Sequence, residues 1–306
     1  MSGRRVAYVN GAFVPEEEAA ISIHDLGFVY GDAVYDTART FSGKLFKLPE
    51  HIARLYRTLR YVRIDPGLAP QEMTALTEEL VARNLPLLRE GEDYWVTQRI
   101  SRGLLAYDAE PAARQGATVV IECVPLPLRA RARYFRDGIA VATPAIRRTP
   151  PEALSPRAKT TNYLNMILGG LEIQGRDPEA WAVLLDRNGN LCEGIGANIF
   201  LVRDGELMTP REDYILPGVS RATVIELAEQ LGIPCSERDL SPHDAAIADE
   251  AFLTSTSLCL CPVVSIDGQD LAAGRIPGPV TARLMQAFSE AAGIDYVAQY
   301  LRFLPA

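Results

Sequence analysis

Arg157-Ala158-Lys159-Thr160-Thr161-Asn162-Tyr163-Leu164 is the stretch on which the reading of this chain turns. The sequence holds 31 Lys plus Arg, yet the only lysines are Lys44, Lys47 and Lys159. A coding preference for arginine accounts for the imbalance. Under such a preference a lysine persists where arginine cannot replace it. Arginine stays protonated, whereas lysine can lose its proton and act as a nucleophile. Lys44 and Lys47 flank an apolar pair in Ser42-Gly43-Lys44-Leu45-Phe46-Lys47, which reads as a hairpin strand with solvated charges. Lys159 is placed differently, between Ala158 and the hydroxyls of Thr160 and Thr161 and just ahead of a helix. That helix is predicted over 162–174, because Leu164, Ile167, Leu168 and Leu171 recur at helical spacing and Gly175 fits the position just past its end.

Upstream, residues 6–23 give short β-like runs, with Asn10-Gly11 after Tyr8-Val9 as a hairpin signal. Residues 28–41 form a second β-rich run, which Ser42-Gly43 turns into 44–48. Pro49 opens a helix as a first-turn proline, and Ile52, Leu55, Leu59 and Val62 keep helical spacing. A second helix covers 70–83, and 94–100 and 117–124 read as strands. Residues 1–124 are therefore expected to form a small α+β domain. Pro125-Leu126-Pro127 and an Arg-rich stretch to Arg136 break the pattern, so 125–133 is expected to be a linker and 134–306 a larger domain. Within it, 139–143, 181–185, 191–193, 198–202, 206–209, 251–254 and 263–266 read as strands. Arg187-Asn188-Gly189-Asn190 and Asp204-Gly205 mark hairpin turns. A helix with Val224, Leu227, Ala228 and Leu231 on one face follows Leu216-Pro217-Gly218-Val219-Ser220-Arg221 and closes at Gly232.

Bulk properties narrow the class. A formal net charge of −8 argues against a general nucleic-acid binder, while leaving room for a local basic pocket for a phosphate. No stretch approaches the roughly 20 apolar residues of a membrane helix. The two arginines near the N-terminus are not followed by an apolar run, so no signal peptide is expected. The five cysteines are an odd number in a long chain, which makes a secreted disulfide scaffold unexpected and the cytoplasm the expected compartment. His24, His51 and His243 have no metal-ligand spacing, and Cys259-X-Cys261 has no histidine near it, so it reads as two small strand residues and no metal is expected. No nucleophile elbow, P-loop or dinucleotide fingerprint occurs.

What remains is a set of residues suited to a phosphate-bearing ligand. Gly218-Val219-Ser220 stands at a helix N-terminus, where backbone N–H groups and the helix dipole attract an anion. Ser220 either donates its hydroxyl there or caps its own helix. Thr254-Ser255-Thr256-Ser257 offers hydroxyls on a turn, and Arg54 lies off the apolar stripe of its helix. Glu193, ahead of Gly194-Ile195-Gly196, is placed either to hold a protonated ring nitrogen or to serve as a turn residue.

Taken in order, these motifs resemble the class IV aminotransferases, the fold-type IV enzymes of pyridoxal 5′-phosphate (PLP). The likeness runs from Tyr8-Val9-Asn10-Gly11 to Val264-Ser265-Ile266-Asp267-Gly268. It implies an α+β fold, with a small α+β domain, a larger domain with a β-barrel-like core, and an active site between them. It implies homodimers or assemblies of dimers, with loops from the partner covering the site. By resemblance Lys159 is the Schiff-base lysine. Arg54, within Glu50-His51-Ile52-Ala53-Arg54-Leu55, contacts the phosphate together with the backbone at Val219, Ser220 and Thr256. Glu193 pairs with the pyridine nitrogen, and Tyr163 bonds near the cofactor hydroxyl. The expected reaction is transamination between an amino acid and a 2-oxo acid.

Substrate preference is implied by Tyr30, Tyr35, Thr37, Arg39, the strand 94–102 and the loop 104–113. Phe28-Val29-Tyr30-Gly31 and Arg39 resemble the branched-chain group, although that group tends to have Gly where Thr37 stands and Arg where Thr97 stands. Tyr35-Asp36-Thr37-Ala38-Arg39 leans towards the D-amino acid and aminodeoxychorismate lyase branches. The D-amino acid enzymes carry an Arg and a His in the carboxylate-trapping loop, where this chain has Tyr107 and Ala109; Arg39, Arg99 or Arg102 could take their place. A branched-chain-like L-amino acid is the favoured substrate. D-amino acid or (R)-amine transamination is the alternative, followed by pyruvate elimination and, from another class, a non-catalytic binder of phosphate ligands.

Overall fold

The structure is a computed structural model that describes residues 3–105, 116–272 and 274–304. The chain divides into two compact units, one running to Leu126 and including Ala158–Asn162, the other made of Pro127–Arg157 and the chain from Tyr163 on.

The first unit contains β1 (Val6–Val9), β2 (Ala12–Pro15), α1 (Leu26–Tyr30), β3 (Ala33–Phe41), β4 (Lys44–Leu45), α2 (Leu48–Val62), α3 (Pro70–Asn84), β5 (Tyr94–Ser101) and β6 (Thr118–Pro125). The strands form one antiparallel sheet in the order β2-β1-β6-β5-β3-β4. Asn10 and Gly11 turn β1 into β2 with φ of 46° and 98°, the twist a two-residue hairpin favours. α2 buries Ile52, Leu55 and Leu59, and these join Val34, Ala38, Met73, Leu80, Val96 and Ile100 in one core. Residues 26–30, partly inside the β-rich run expected over 28–41, are instead helical. Asp25 caps them, its Oδ1 accepting the Gly27 N–H at 2.8 Å, and Gly31 ends them at a left-handed φ of 67°. The segment carrying Lys159 joins this unit by β-like pairing: the Tyr35 N–H donates to Lys159 O at 3.0 Å and the Thr161 N–H to Ala33 O at 3.0 Å.

The second unit contains α4 (Leu128–Asp137), β7 (Ile139–Ala142), α5 (Leu164–Gln174), β8 (Trp181–Leu185), β9 (Leu191–Gly194), β10 (Ala197–Arg203) and β11 (Glu206–Thr209). It continues with α6 (Val219–Gln230), β12 (Cys235–Glu237), α7 (Pro242–Ala246), β13 (Glu250–Ser255), β14 (Cys259–Ile266), β15 (Gln269–Asp270), α8 (Pro279–Ala292) and α9 (Tyr296–Leu301). β10 shares one edge between two partners: Ala197 and Asn198 pair with β9, while Leu201, Val202 and Arg203 pair with β11. Its other edge pairs with β13. The path β10-β13-β14-β7-β8-β9 therefore closes on itself, a barrel-like core whose strands have no open edge at the seam. β10 is buried from Ala197 to Val202, and Phe200 stacks on Phe252 of β13 with ring centroids 4.9 Å apart.

Two further elements differ from the sequence reading. The Arg-rich stretch expected to be linker is helix α4, which turns Leu128, Ala132 and Phe135 inward and Arg129, Arg133 and Arg136 outward, while Arg131 donates to Ser257; Phe135 stacks on Tyr300 at 4.2 Å. α5 forms where expected but buries the opposite face. Met166, Gly169, Gly170 and Ile173 face the core, while Leu164, Ile167, Leu168 and Leu171 are 45–68% exposed. The glycines explain the reversal: a Cβ on Gly169 would lie 3.3 Å from both Leu184 and Pro144, so the bare backbone is what fits there. Gly175 ends α5 as expected, at φ −68°. β12, α7, α8 and α9 had no counterpart in the sequence reading. Among the described residues no helix is long and apolar enough to cross a membrane.

Candidate active site

Chemistry-bearing residues gather in two groups, one in each unit. In the first unit Lys159 is 8% exposed, and its Nζ lies 4.4 Å from the centroid of the Tyr35 ring. Its backbone is fixed by the pairing to β3 and by its N–H donating to Thr58 Oγ1 at 3.3 Å. Strand alternation sends Tyr35, Thr37 and Arg39 to one face of β3 and Asp36 to the other. On the Asp36 face stands α2, with His51, Arg54 and Thr58 on one helical stripe. Arg54 grips Asp36 with a fork, Nε donating to Oδ2 and Nη2 to Oδ1, each at 2.8 Å, and His51 Nδ1 lies 2.7 Å from Asp36 Oδ1. All three side chains are buried. Burial opposes the Asp36 charge, but the Arg54 guanidinium and the hydrogen bonds from Arg54 and His51 prevail and hold its carboxyl well below the usual carboxylate range.

On the other face, Thr37 and Thr97 are cross-strand neighbours with hydroxyl oxygens 3.1 Å apart. The three arginines considered for a substrate carboxylate all have partners of their own. Arg39 is 2% exposed, with its guanidinium 4.0 Å from the Phe41 centroid and its Nε donating to Thr40 O at 3.1 Å. Arg99 forks onto Glu122, and Arg102 onto Asp32 and the carbonyls of Val62 and Arg63. Tyr30 sits on α1, 67% exposed. Tyr107 and Ala109 lie outside the described residues.

In the second unit the row Glu193, Asn198 and Thr254 crosses β9, β10 and β13 in register, so these side chains share one face. Glu193 is 4% exposed, and both its oxygens are held: Oε1 accepts from Arg148 Nε at 3.0 Å and Oε2 from the Leu216 N–H at 2.9 Å. Asn198 Nδ2 donates to Leu216 O at 3.0 Å, tying the same loop to β10. That loop leads to Gly218, the N-cap of α6, where a Cβ would come within 2.2 Å of Asn198 Oδ1. Ser220 lies inside the first turn and makes no cap hydrogen bond, which leaves the opening N–H groups of α6 without a side-chain cap. Thr256 sits in the β13–β14 turn, partly buried, and Tyr163 stands at the N-terminus of α5, also partly buried.

These residues fit a phosphate-bearing pyridine. The Thr254 hydroxyl is 1% exposed and has no hydrogen-bond partner among the described residues, a buried donor of the kind a bound group satisfies. Glu193 offers a fixed acceptor to a ring nitrogen. The Cys123, Cys192 and Cys261 thiols are not competing nucleophiles: burial pushes Cys123 up to about 12 and drives Cys192 and Cys261 up as well. Asp36, His51, Thr58 and Arg148 were missed in the sequence. Asp36 had a signal, since an acidic residue inside a strand-like run is unusual; Arg148 had none among so many arginines.

The family model described as amino-transferase class IV matches residues 33–266. The chain is 35% identical to a putative branched-chain-amino-acid aminotransferase of Methanocaldococcus jannaschii, over 92% of this chain and 95% of that protein. It is 29% identical to a D-alanine aminotransferase of Bacillus licheniformis, over 91% and 94%. Its fold superposes on the crystal structure of the Escherichia coli branched-chain amino acid aminotransferase with a TM-score of 0.85 at 30% identity, covering 94% of each chain. A branched-chain amino acid aminotransferase crystallised in complex with N-(5′-phosphopyridoxyl)-L-glutamate superposes with a TM-score of 0.83 at 29% identity, covering 95% of each chain.

Proposed function

This chain belongs to the class IV aminotransferases, and we propose that within that family it moves an amino group between a branched-chain-like L-amino acid and a 2-oxo acid. It is a PLP-dependent transaminase whose substrates are amino acids and 2-oxo acids. The observation that carries the site assignment is Lys159, a nearly buried lysine whose Nζ lies over the Tyr35 ring in a chain with only three lysines.

PLP, when bound, supplies a ring that draws negative charge away from the substrate carbon. The rest falls to the chain's own residues. Lys159 Nζ would hold the cofactor and, when free of it, would take a proton from the substrate carbon and give one back as general base and acid. Glu193, its carboxylate kept in place by Arg148 and the Leu216 N–H, would hold the ring nitrogen. Arg54, the Val219 N–H, Ser220 and Thr256 bind the phosphate, and Tyr163 donates near the ring hydroxyl. Tyr30, Tyr35 and Thr37 line the substrate side. Arg39 is left out of carboxylate binding because its guanidinium is packed on Phe41 and bonded to Thr40.

The exposed apolar stripe of α5 and, in the first unit, exposed Phe28 and Tyr30 on α1 support a homodimer or an assembly of dimers, since exposed apolar patches mark interfaces. Five free cysteines support a cytoplasmic enzyme.

A D-amino acid preference is the second reading, favoured by Thr37 and Thr97 pairing their hydroxyls. The test is the absorbance of lysine-bound PLP before and after separate additions of L-leucine, D-alanine and (R)-1-phenylethylamine. Bleaching by L-leucine alone supports the branched-chain assignment, and bleaching by either of the others transfers the protein to that branch. Lys159→Ala is expected to lose the visible band and nearly all turnover; wild-type turnover in that variant would overturn the assignment.

A further inference from the structure

We infer that Asp36 is a positioning residue for the cofactor phosphate: it sets the Arg54 guanidinium in place, and an acceptor-only carboxylate is what that requires. The inference rests on Arg54 being a phosphate ligand, as proposed above.

Four donors converge on the Asp36 carboxylate. Oδ1 receives Arg54 Nη2–H at 2.8 Å, His51 Nδ1–H at 2.7 Å and the Thr37 N–H at 2.8 Å; Oδ2 receives Arg54 Nε–H at 2.8 Å. Asp36 is 0% exposed, His51 2% and Arg54 4%, so water does not stand in for any of them. With Asp36 ionised, His51 Nδ1 carries the hydrogen, and all four contacts are donations to the carboxylate. An asparagine of the same shape has an NH2 group on one side. Turned towards the Oδ2 position it meets Arg54 Nε–H; turned towards the Oδ1 position it meets three donors. Either way a donor opposes a donor, and the group with freedom to move is the long Arg54 side chain. The fork of two parallel bonds also fixes the plane of the guanidinium, which a single contact does not.

The surrounding bonds tie this setting to the catalytic lysine. Thr58, on the same stripe of α2, donates its hydroxyl to Arg54 O at 3.0 Å and accepts the Lys159 N–H at 3.3 Å. Asp36 thus sits at a node from which the phosphate-binding head is reached in one hydrogen bond and the lysine backbone in three, through Arg54 and Thr58. A counter-ion without a positioning role would behave in the opposite way. It would cancel the charge of Arg54, and removing it would strengthen phosphate binding. The two accounts differ in sign.

The experiment compares the affinity of the apoprotein for PLP and for pyridoxal, which lacks the phosphate. Asp36→Asn is expected to lower the preference for PLP by about tenfold or more, while affinity for pyridoxal shifts by less than about threefold. Asp36→Glu, which keeps an acceptor-only carboxylate, is expected to restore most of the preference. In an Arg54→Gln background, Asp36→Asn is expected to change nothing further. An unchanged or increased preference in Asp36→Asn, or an equal loss in the Arg54→Gln background, overturns the inference. An intact preference in Arg54→Gln alone shows instead that Arg54 is not a phosphate ligand, and the reading beneath the inference fails. If Asp36→Asn does not fold, the wild-type apoprotein decides: a slowly exchanging Arg54 Nε–H resonance present before PLP is added supports a preset head, and one that appears only with PLP overturns it.

Discussion

His51 is 2% exposed and gives its Nδ1–H to a carboxylate that stays ionised. Burial lowers its pKa from 6.5; Asp36 pulls it part of the way back, and the charges of Arg54 and Lys159 add to the lowering. The folded chain therefore takes up this proton at lower pH than the unfolded chain does. The stability His51 contributes is complete above 6.5 and is lost as pH falls below it. The urea midpoint is expected to decline between about pH 7.5 and 5.5, with a slope from this one group of at most about 1.4 kcal/mol per pH unit. His51→Gln should flatten that profile, and parallel profiles for variant and wild type would assign the slope to another group. Asp36 does not contribute to this window, because its carboxyl titrates well below it.

At the scale of elements, the loop into α6 depends on a missing side chain. A Cβ on Gly218 would sit 2.2 Å from Asn198 Oδ1, and Asn198 holds Leu216 O, whose own N–H holds Glu193. Gly218→Ala is expected to cost about 1–3 kcal/mol by overpacking and to weaken PLP binding; an unchanged melting temperature with full PLP affinity would contradict it. Local signals of this sort were legible in the sequence. Asn10-Gly11, Asp204-Gly205 and Pro49 each declare a turn or a helix start through their own backbone preferences, and the structure has them there. The same holds for Lys159, whose rarity and setting were visible. What was not legible depends on partners distant in sequence. The apolar period of α5 was correct, but its buried face was decided by Gly169 against Leu184 and Pro144. The helix at 26–30 owes its hold to Asp25 Oδ2, which accepts from the hydroxyls of Ser101 and Thr118 at 2.8 and 2.6 Å. Arg39 was read as a candidate carboxylate receptor, and nothing local announces that Phe41 and Thr40 occupy it.

At the scale of the whole molecule, the apolar stripe left outside on α5 is the feature that a lone chain does not explain. Leu164, Ile167, Leu168 and Leu171, 45–68% exposed, would each release roughly 0.7–2 kcal/mol on full burial, enough together to favour association. Leu168→Glu with Leu171→Glu is expected to shift the sedimentation of the protein from dimer to monomer while leaving its circular dichroism unchanged. A wild-type protein that sediments as a monomer would remove the homodimer from the proposal.

The alternation of β3 has one more effect, on heredity. Tyr35 and Thr37 point to one side of the strand and Asp36 to the other, so consecutive codons serve different masters. If Thr37 lines the substrate side and Asp36 sets Arg54, as proposed, mutation at 37 would redraw which amine is accepted while leaving the Asp36–Arg54 fork in place, and mutation at 36 would do the reverse; Tyr35, with Lys159 Nζ 4.4 Å from its ring, would touch both. On such a strand substrate preference would be free to drift between lineages while the hold on the phosphate is inherited.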